Sequence, residues 1–98
     1  MDIIKNREGE KLCLAIKGRL DTTTAPQLDE VIKTELDGVN NLVYELGDLD
    51  YISSAGLRVL LASQKVMNKQ GKMVVTGVKD DIMEVFEITG FADILDIQ

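Results

Sequence analysis

Asp50-Tyr51-Ile52-Ser53-Ser54-Ala55-Gly56-Leu57-Arg58-Val59-Leu60-Leu61 is the stretch on which the reading of this 98-residue chain turns. Two adjacent serines stand between a strand-like segment and an apolar run of helical period, so the chain passes there from sheet to helix. The first N–H groups of a helix have no partner within it and lie at the positive end of its macrodipole. A serine at that point can serve as an N-cap, worth about 1 kcal/mol. It is also a place where a phosphate can be added, tolerated and removed. The local sequence allows both readings: Ser53 or Ser54 as a plain helix cap, or a phosphorylated serine.

Upstream of the serines, residues 41–46 read as a strand and Gly47-Asp48-Leu49-Asp50 as its exit loop. Downstream, Leu57, Leu60, Leu61 and Val66 suit the core-facing stripe of a helix over about residues 54–69, with Gly71 where a C-terminal cap belongs. Residues 72–76 form a further strand, which the helical crossover makes parallel to the one before it. Asp80 and Asp81 open a short third helix whose apolar face is Ile82, Val85 and Phe86 and which Gly90 ends. Ile94, Leu95 and Ile97 suffice for a last short strand within residues 91–97. Toward the N-terminus, residues 2–6 and 11–17 form a hairpin about Arg7-Glu8-Gly9-Glu10. Thr24-Ala25-Pro26-Gln27 matches a capping box with proline in the first turn. Leu28, Val31, Ile32 and Leu36 then share one face of a helix over about residues 25–37. The expected order is β-β-α-β-α-β-α-β. It describes an α/β fold, a mixed sheet of four to five strands packed with about three helices, in one domain spanning residues 1–98.

The net charge of −6 opposes the attraction on which nucleic-acid binding relies, so DNA, RNA and anionic membranes are not expected partners. No apolar run approaches spanning length and Met1 is not followed by a leader pattern; the expected location is cytoplasmic, without membrane insertion. Cys13, the only cysteine, lies in an apolar strand-like run and is expected to act as a small buried hydrophobe. The chain has no histidine, which removes the usual general base, the Ser-His and Cys-His pairs and the commonest zinc ligand. Ser53-Ser54-Ala55-Gly56 is not a nucleophile elbow, and the glycines show neither P-loop nor dinucleotide-binding spacing. Asp48 with Asp50, and Asp80 with Asp81, offer oxygen ligands, but turns and helix caps account for them. No enzyme activity, cofactor or metal is expected. Met67, Met73 and Met83 read as core fillers.

Two motifs together carry a family resemblance over nearly the whole chain. Gly18-Arg19-Leu20-Asp21-Thr22-Thr23-Thr24-Ala25 is similar to the G-x-[LI]-D loop that precedes the first helix in the STAS-domain anti-sigma factor antagonists of bacteria. Leu49-Asp50-Tyr51-Ile52-Ser53-Ser54-Ala55-Gly56-Leu57 is similar to the same family's serine turn before the second helix. The resemblance implies the STAS (SpoIIAA-like) fold and a regulatory protein that is not an enzyme. It implies binding, in the unphosphorylated form, to an anti-sigma factor that is itself a serine kinase, so that a sigma factor is released. Phosphorylation would fall on Ser54, with Ser53 the alternative, and a serine phosphatase would reverse it. Where the best-known relatives carry aspartate this chain has Ser53. The partner surface would comprise Asp21, Thr22, Thr23, Asp50, Ser53, Ser54, Ala55, Gly56 and Arg58, with Arg58 pairing with Asp50 or with the partner. The chain itself would be a monomer or weak dimer. A phosphate brings about −1.5 to −2 charge, repelled by Asp48, Asp50 and an acidic partner surface. The alternatives are a constitutive STAS interaction subunit of a transport or signalling complex, without a phospho-switch, and a small-molecule or nucleotide binder at the free helix N-terminus.

Overall fold

Strand β2 (Lys11–Leu20) organises the sheet, because Leu12, Leu14 and Ile16 alternate with residues that are not buried and so give it one core face. In the computed structural model, which describes residues 1–98, β1 (Asp2–Glu8) pairs antiparallel with β2 through a turn at Gly9. On the other side of β2, β3 (Asn41–Glu45) pairs with it in parallel, and β5 (Lys72–Thr76) pairs in parallel with β3. Strand β4 (Leu49–Ile52) pairs with the far end of β2, Gly18 to Leu20, beyond a register shift between Gly18 and Arg19. β2 thus exchanges one parallel neighbour for another along its length.

Helices α1 (Ala25–Glu35), α2 (Ser54–Gln70) and α3 (Asp80–Thr89) contribute to a single core cluster of 23 residues. Its sheet side includes Leu14, Leu42, Tyr44 and Val75, and its helix side Leu28, Leu60, Met67 and Phe86. At its centre the Tyr44 and Ser63 hydroxyls lie 2.8 Å apart, and Ser63 Oγ donates to the Val59 carbonyl at 2.9 Å. Burial pushes the Tyr44 phenol well above its ordinary pKa, only partly offset by Ser63, so it stays a neutral hydrogen-bonding group. On β1 the odd positions turn to the helices: Lys5 Nζ meets Glu35 at 3.0 Å and Arg7 donates to the Glu35 and Asp37 carbonyls at 3.2 Å.

Several expectations change in the structure. The exit loop after β3 contains β4, because β2 continues past Lys17 and offers a free edge on which Leu49 and Ile52 become buried. The closing segment is not a strand. Phe91–Asp93 form a 3-10 turn, after which Ile97 makes one parallel bridge to Val75. The capping box does not form, since Thr24 makes no side-chain cap to α1, and that helix ends at Glu35. On α2 Leu61 is half-buried and Val66 exposed. The buried face instead runs through Leu57, Leu60, Ser63, Gln64 and Met67, a rotation that hydrophobicity alone does not show. Met67 and Met73 are buried and Met83 half-buried against the core. Cys13 is half-buried rather than in the core, because odd positions of β2 point away from the helices.

Candidate functional site

β2 and β4 end side by side: Leu20 pairs with Ile52, and the Ser53 N–H donates to the Leu20 carbonyl at 2.9 Å. The loop at residues 21–24 and the turn at Ser53 and Ser54 therefore leave the sheet together. Parallel strands also bring their carboxyl ends, and so their exit loops, to one edge. The loop after β5 reaches the same edge, where Lys79 Nζ meets Asp50 Oδ1 at 2.9 Å.

The two serines take different places. Ser53 is extended (φ −98°, ψ 176°) and caps α2, its Oγ accepting from the Gly56 N–H at 3.4 Å and its carbonyl from the Leu57 N–H at 3.0 Å. Ser54 is the first helical residue. It is exposed, its hydroxyl engages no other group, and the N–H groups of Ser54 and Ala55 are also unpartnered. The capping hydroxyl is Ser53's, and Ser54's is left free beside open donors at the positive end of the helix. Gly56 fixes this turn from below. A Cβ there would stand 2.7 Å from Leu20 Cγ and 2.9 Å from Ile52 Cγ1, so the bare glycine lets α2 begin directly against β2 and β4. Gly56 is buried and Ala55 half-buried; both position the turn more than they present surface.

Asp21 is the knot of the neighbouring loop. Its Oδ1 accepts from the Thr23 N–H at 3.0 Å, the Thr24 N–H at 3.1 Å and the Thr23 hydroxyl at 2.8 Å. The Thr23 hydroxyl, helped by the two backbone N–H groups against partial desolvation, holds this carboxyl below its ordinary range. Thr24 Oγ1 accepts from the Asp21 N–H and donates to the Arg19 carbonyl, both at 2.8 Å, which is why it is not free to cap α1. Thr22 is exposed at the tip of this loop.

The charges are arranged otherwise than the sequence suggested. Arg58 is exposed and makes no ion pair with Asp50, which is taken by Lys79; that contact raises the lysine's pKa. Asp48 pairs with Lys17 at 3.7 Å. Each of the two acids thus has a lysine beside it, which reduces the expected repulsion of a phosphate by Asp48 and Asp50. No group of three or more acidic or cysteine side chains converges on a common point to hold a metal.

Three residues at this edge escaped the sequence reading: Arg19, Tyr51 and Lys79. The Arg19 guanidinium lies 4.2 Å from the centroid of the Tyr51 ring and its Nε 3.7 Å from Asp21 Oδ2. Tyr51 is 41% exposed in a strand whose other apolar residues, Leu49 and Ile52, are buried. An aromatic residue beside the serine turn was the available signal; the register that sets Arg19 across from Tyr51 was not visible.

Comparison with known proteins agrees with this architecture. The STAS domain family matches residues 2–98. A Bordetella bronchiseptica protein named as an anti-sigma factor antagonist, BtrV, is 40% identical over 88 residues, covering 88% of this chain and 76% of its own length. The anti-sigma-B factor antagonist of Staphylococcus aureus is 33% identical over 84 residues, covering 84% of this chain and 78% of its own. Among solved structures, an anti-sigma factor antagonist from Mycobacterium paratuberculosis superposes with a TM-score of 0.87 at 21% identity, over 98% of this chain and 83% of its own. The antagonist SpoIIAA in its unphosphorylated form gives 0.79 at 15% identity, over 99% and 87%. With its mixed five-stranded sheet, three helices and serine turn at the carboxyl edge, this chain belongs to the STAS domain family.

Proposed function

We propose that this chain is an anti-sigma factor antagonist whose binding is switched off by phosphorylation of Ser54. Its partner is an anti-sigma factor with serine kinase activity, and a serine phosphatase restores the binding form; the chain itself is a regulatory ligand, not an enzyme, and acts in the cytoplasm. The observation that carries this reading is the free, exposed Ser54 hydroxyl at the first position of α2, next to two unpartnered N–H groups and the Asp21 loop. The names of the relatives support it.

The partner surface comprises the 21–24 loop tip at Thr22 and Thr23, the Ser53–Ser54 turn, and Asp50 and Arg58 around it. Asp21, Ala55 and Gly56 hold that surface in shape. A phosphate on Ser54 receives the open N–H groups and the helix dipole, so the fold tolerates it. The same dianion must be desolvated or repelled where an acidic partner surface closes over the turn. A penalty of about 3 kcal/mol lowers affinity by more than a hundredfold.

The test measures binding of the purified anti-sigma factor encoded in the same genome to wild type, Ser54→Ala and Ser54→Asp proteins. Wild type and Ser54→Ala should bind alike, and Ser54→Asp at least tenfold more weakly. Equal binding by all three would make this a constitutive interaction subunit in which Ser54 is only the first residue of a helix.

A further inference from the structure

The sheet has one covered face and one bare face. All three helices share the core cluster on one side, whereas the even positions of β1 and the odd positions of β2 and β3 lie on the other and belong to no core. Val74 of β5 is the one buried apolar residue outside the core cluster, and it lies on this second face. In register across the four strands, the two middle rows of the bare face read Asn6-Cys13-Val43-Val74 and Ile4-Ala15-Glu45-Thr76, five of the eight residues apolar and Ile4 50% exposed. The other charges stand in the rows beyond these. Glu8 on β1 and Lys72 on β5 stand in one row at opposite margins, and neither has an ion-pair partner in the chain. Farther along, Lys17 of β2 lies near Glu45 of β3 and Asp48, around a shallow cavity of about 450 Å³.

We propose that the bare face is a self-association surface and that its occupant is a second copy of this chain, packed sheet to sheet about a two-fold axis that runs along the strands between β2 and β3. Such an axis sets β1 over β5 and β2 over β3. Glu8 then opposes Lys72 of the second copy and Cys13 opposes its Val43, while Glu45 falls over Ala15, one row from Lys17, which already pairs with Asp48 of its own chain. A two-fold axis across the strands would instead set Glu8 over Asp2 and Lys11 over Lys17, like over like. Charge therefore selects the first arrangement. The net charge of −6 resists association in general, but on this face lysines and carboxylates are nearly balanced, so most of the excess lies elsewhere. Four strands about 4.8 Å apart, each offering about five residues, cover on the order of 300 Å² in plan, less than half of a standard interface per partner. The dimer is accordingly weak, with a dissociation constant on the order of 100 μM. Since α2 packs on the covered side, both Ser54 turns stay open in it.

Sedimentation of the purified chain from about 10 μM to 1 mM in low salt tests this, with circular dichroism confirming the fold of each variant. Wild type should associate reversibly, and more weakly at high salt. Lys72→Glu, or Glu8→Lys if the first fails to fold, should weaken association at least tenfold, and the double swap Glu8→Lys with Lys72→Glu should restore it. The two Cys13 thiols, on sheets about 10 Å apart and offset by one strand, are too distant for a disulfide but within reach of a short bis-maleimide. That reagent should trap the wild-type dimer and not Lys72→Glu. A chain that stays monomeric to 1 mM, a Lys72→Glu variant that associates like wild type, or a double swap that fails to restore association would each overturn the proposal.

Discussion

The two ends of the sheet treat their polar groups differently. At the end away from the serines, loop carbonyls are tied by side chains and neighbouring backbone. Gln70 Nε2 donates to the Leu36 and Val39 carbonyls at 2.7 and 2.6 Å, Arg7 holds those of Glu35 and Asp37, and the Asn40 carbonyl accepts from the Lys72 N–H at 3.0 Å. At the serine end, Asp21 and Ser53 tie their own loops, while the Ser54 hydroxyl, Thr22 and Arg58 face solvent without partners. A protein surface gains nothing in stability from polar groups held in order and left unused. The difference separates an end closed by its own bonds from one that, on the function proposed above, leaves groups open to a partner.

Substitutions at the two ends should separate stability from binding. The largest loss of stability belongs to the tied end: a Cβ on Gly71 would stand 1.9 Å from the Asn40 carbonyl oxygen, so Gly71→Ala must shift backbone. Urea unfolding should show a loss of about 3 kcal/mol, the upper end for overpacking, with partner affinity of the folded fraction unchanged. Gly56→Ala meets only the side chains of Leu20 and Ile52, which yield more readily. A loss of about 2 kcal/mol is expected, this time with weaker partner binding, because the start of α2 moves with it. Gln70→Ala leaves the Val39 carbonyl unanswered, while the Leu36 carbonyl keeps the Val39 N–H at 3.1 Å, and should lower stability by about 1 kcal/mol without touching binding. The smallest effects are at the serines. Ser53→Ala removes a long cap bond and should lower stability by about 0.5 kcal/mol, and Ser54→Ala should change it by less than that.

Acid sharpens the same contrast. Asp21 titrates below the unfolded carboxylate value of about 3.9, so its contribution is complete above that pH and is lost as pH falls through the folded value. Asp21→Asn should flatten the acid limb of stability against pH relative to wild type. An unchanged limb would show that the Thr23 and Thr24 bonds do not favour the charged form.

Most of the architecture was legible because its signals are local. Alternation in β2, the Gly18-Arg19-Leu20-Asp21 and Ser53-Ser54-Ala55-Gly56 motifs, and Gly90 after α3 each act within a few residues. What failed depended on neighbours distant in sequence. β4 exists because β2 outruns β3 and leaves an edge free, and Thr24 does not cap α1 because the Arg19 carbonyl and Asp21 N–H claim its hydroxyl. The pairing of Asp50 with Lys79, 29 residues on, excludes one of the two pairings expected for Arg58, that with Asp50. At the candidate site, the position of the serines was readable, but the division of labour between them was not. Which hydroxyl reaches the Gly56 N–H depends on where the chain turns helical, to a single residue.

That division is most directly tested by mapping phosphate after incubation of the chain with its partner kinase and ATP, using wild type, Ser53→Ala and Ser54→Ala proteins. The expected result is one phosphate, on Ser54, in wild type and Ser53→Ala, and none in Ser54→Ala. Phosphate on Ser53, or undiminished labelling of Ser54→Ala, would contradict the assignment of the cap to one serine and the switch to the other.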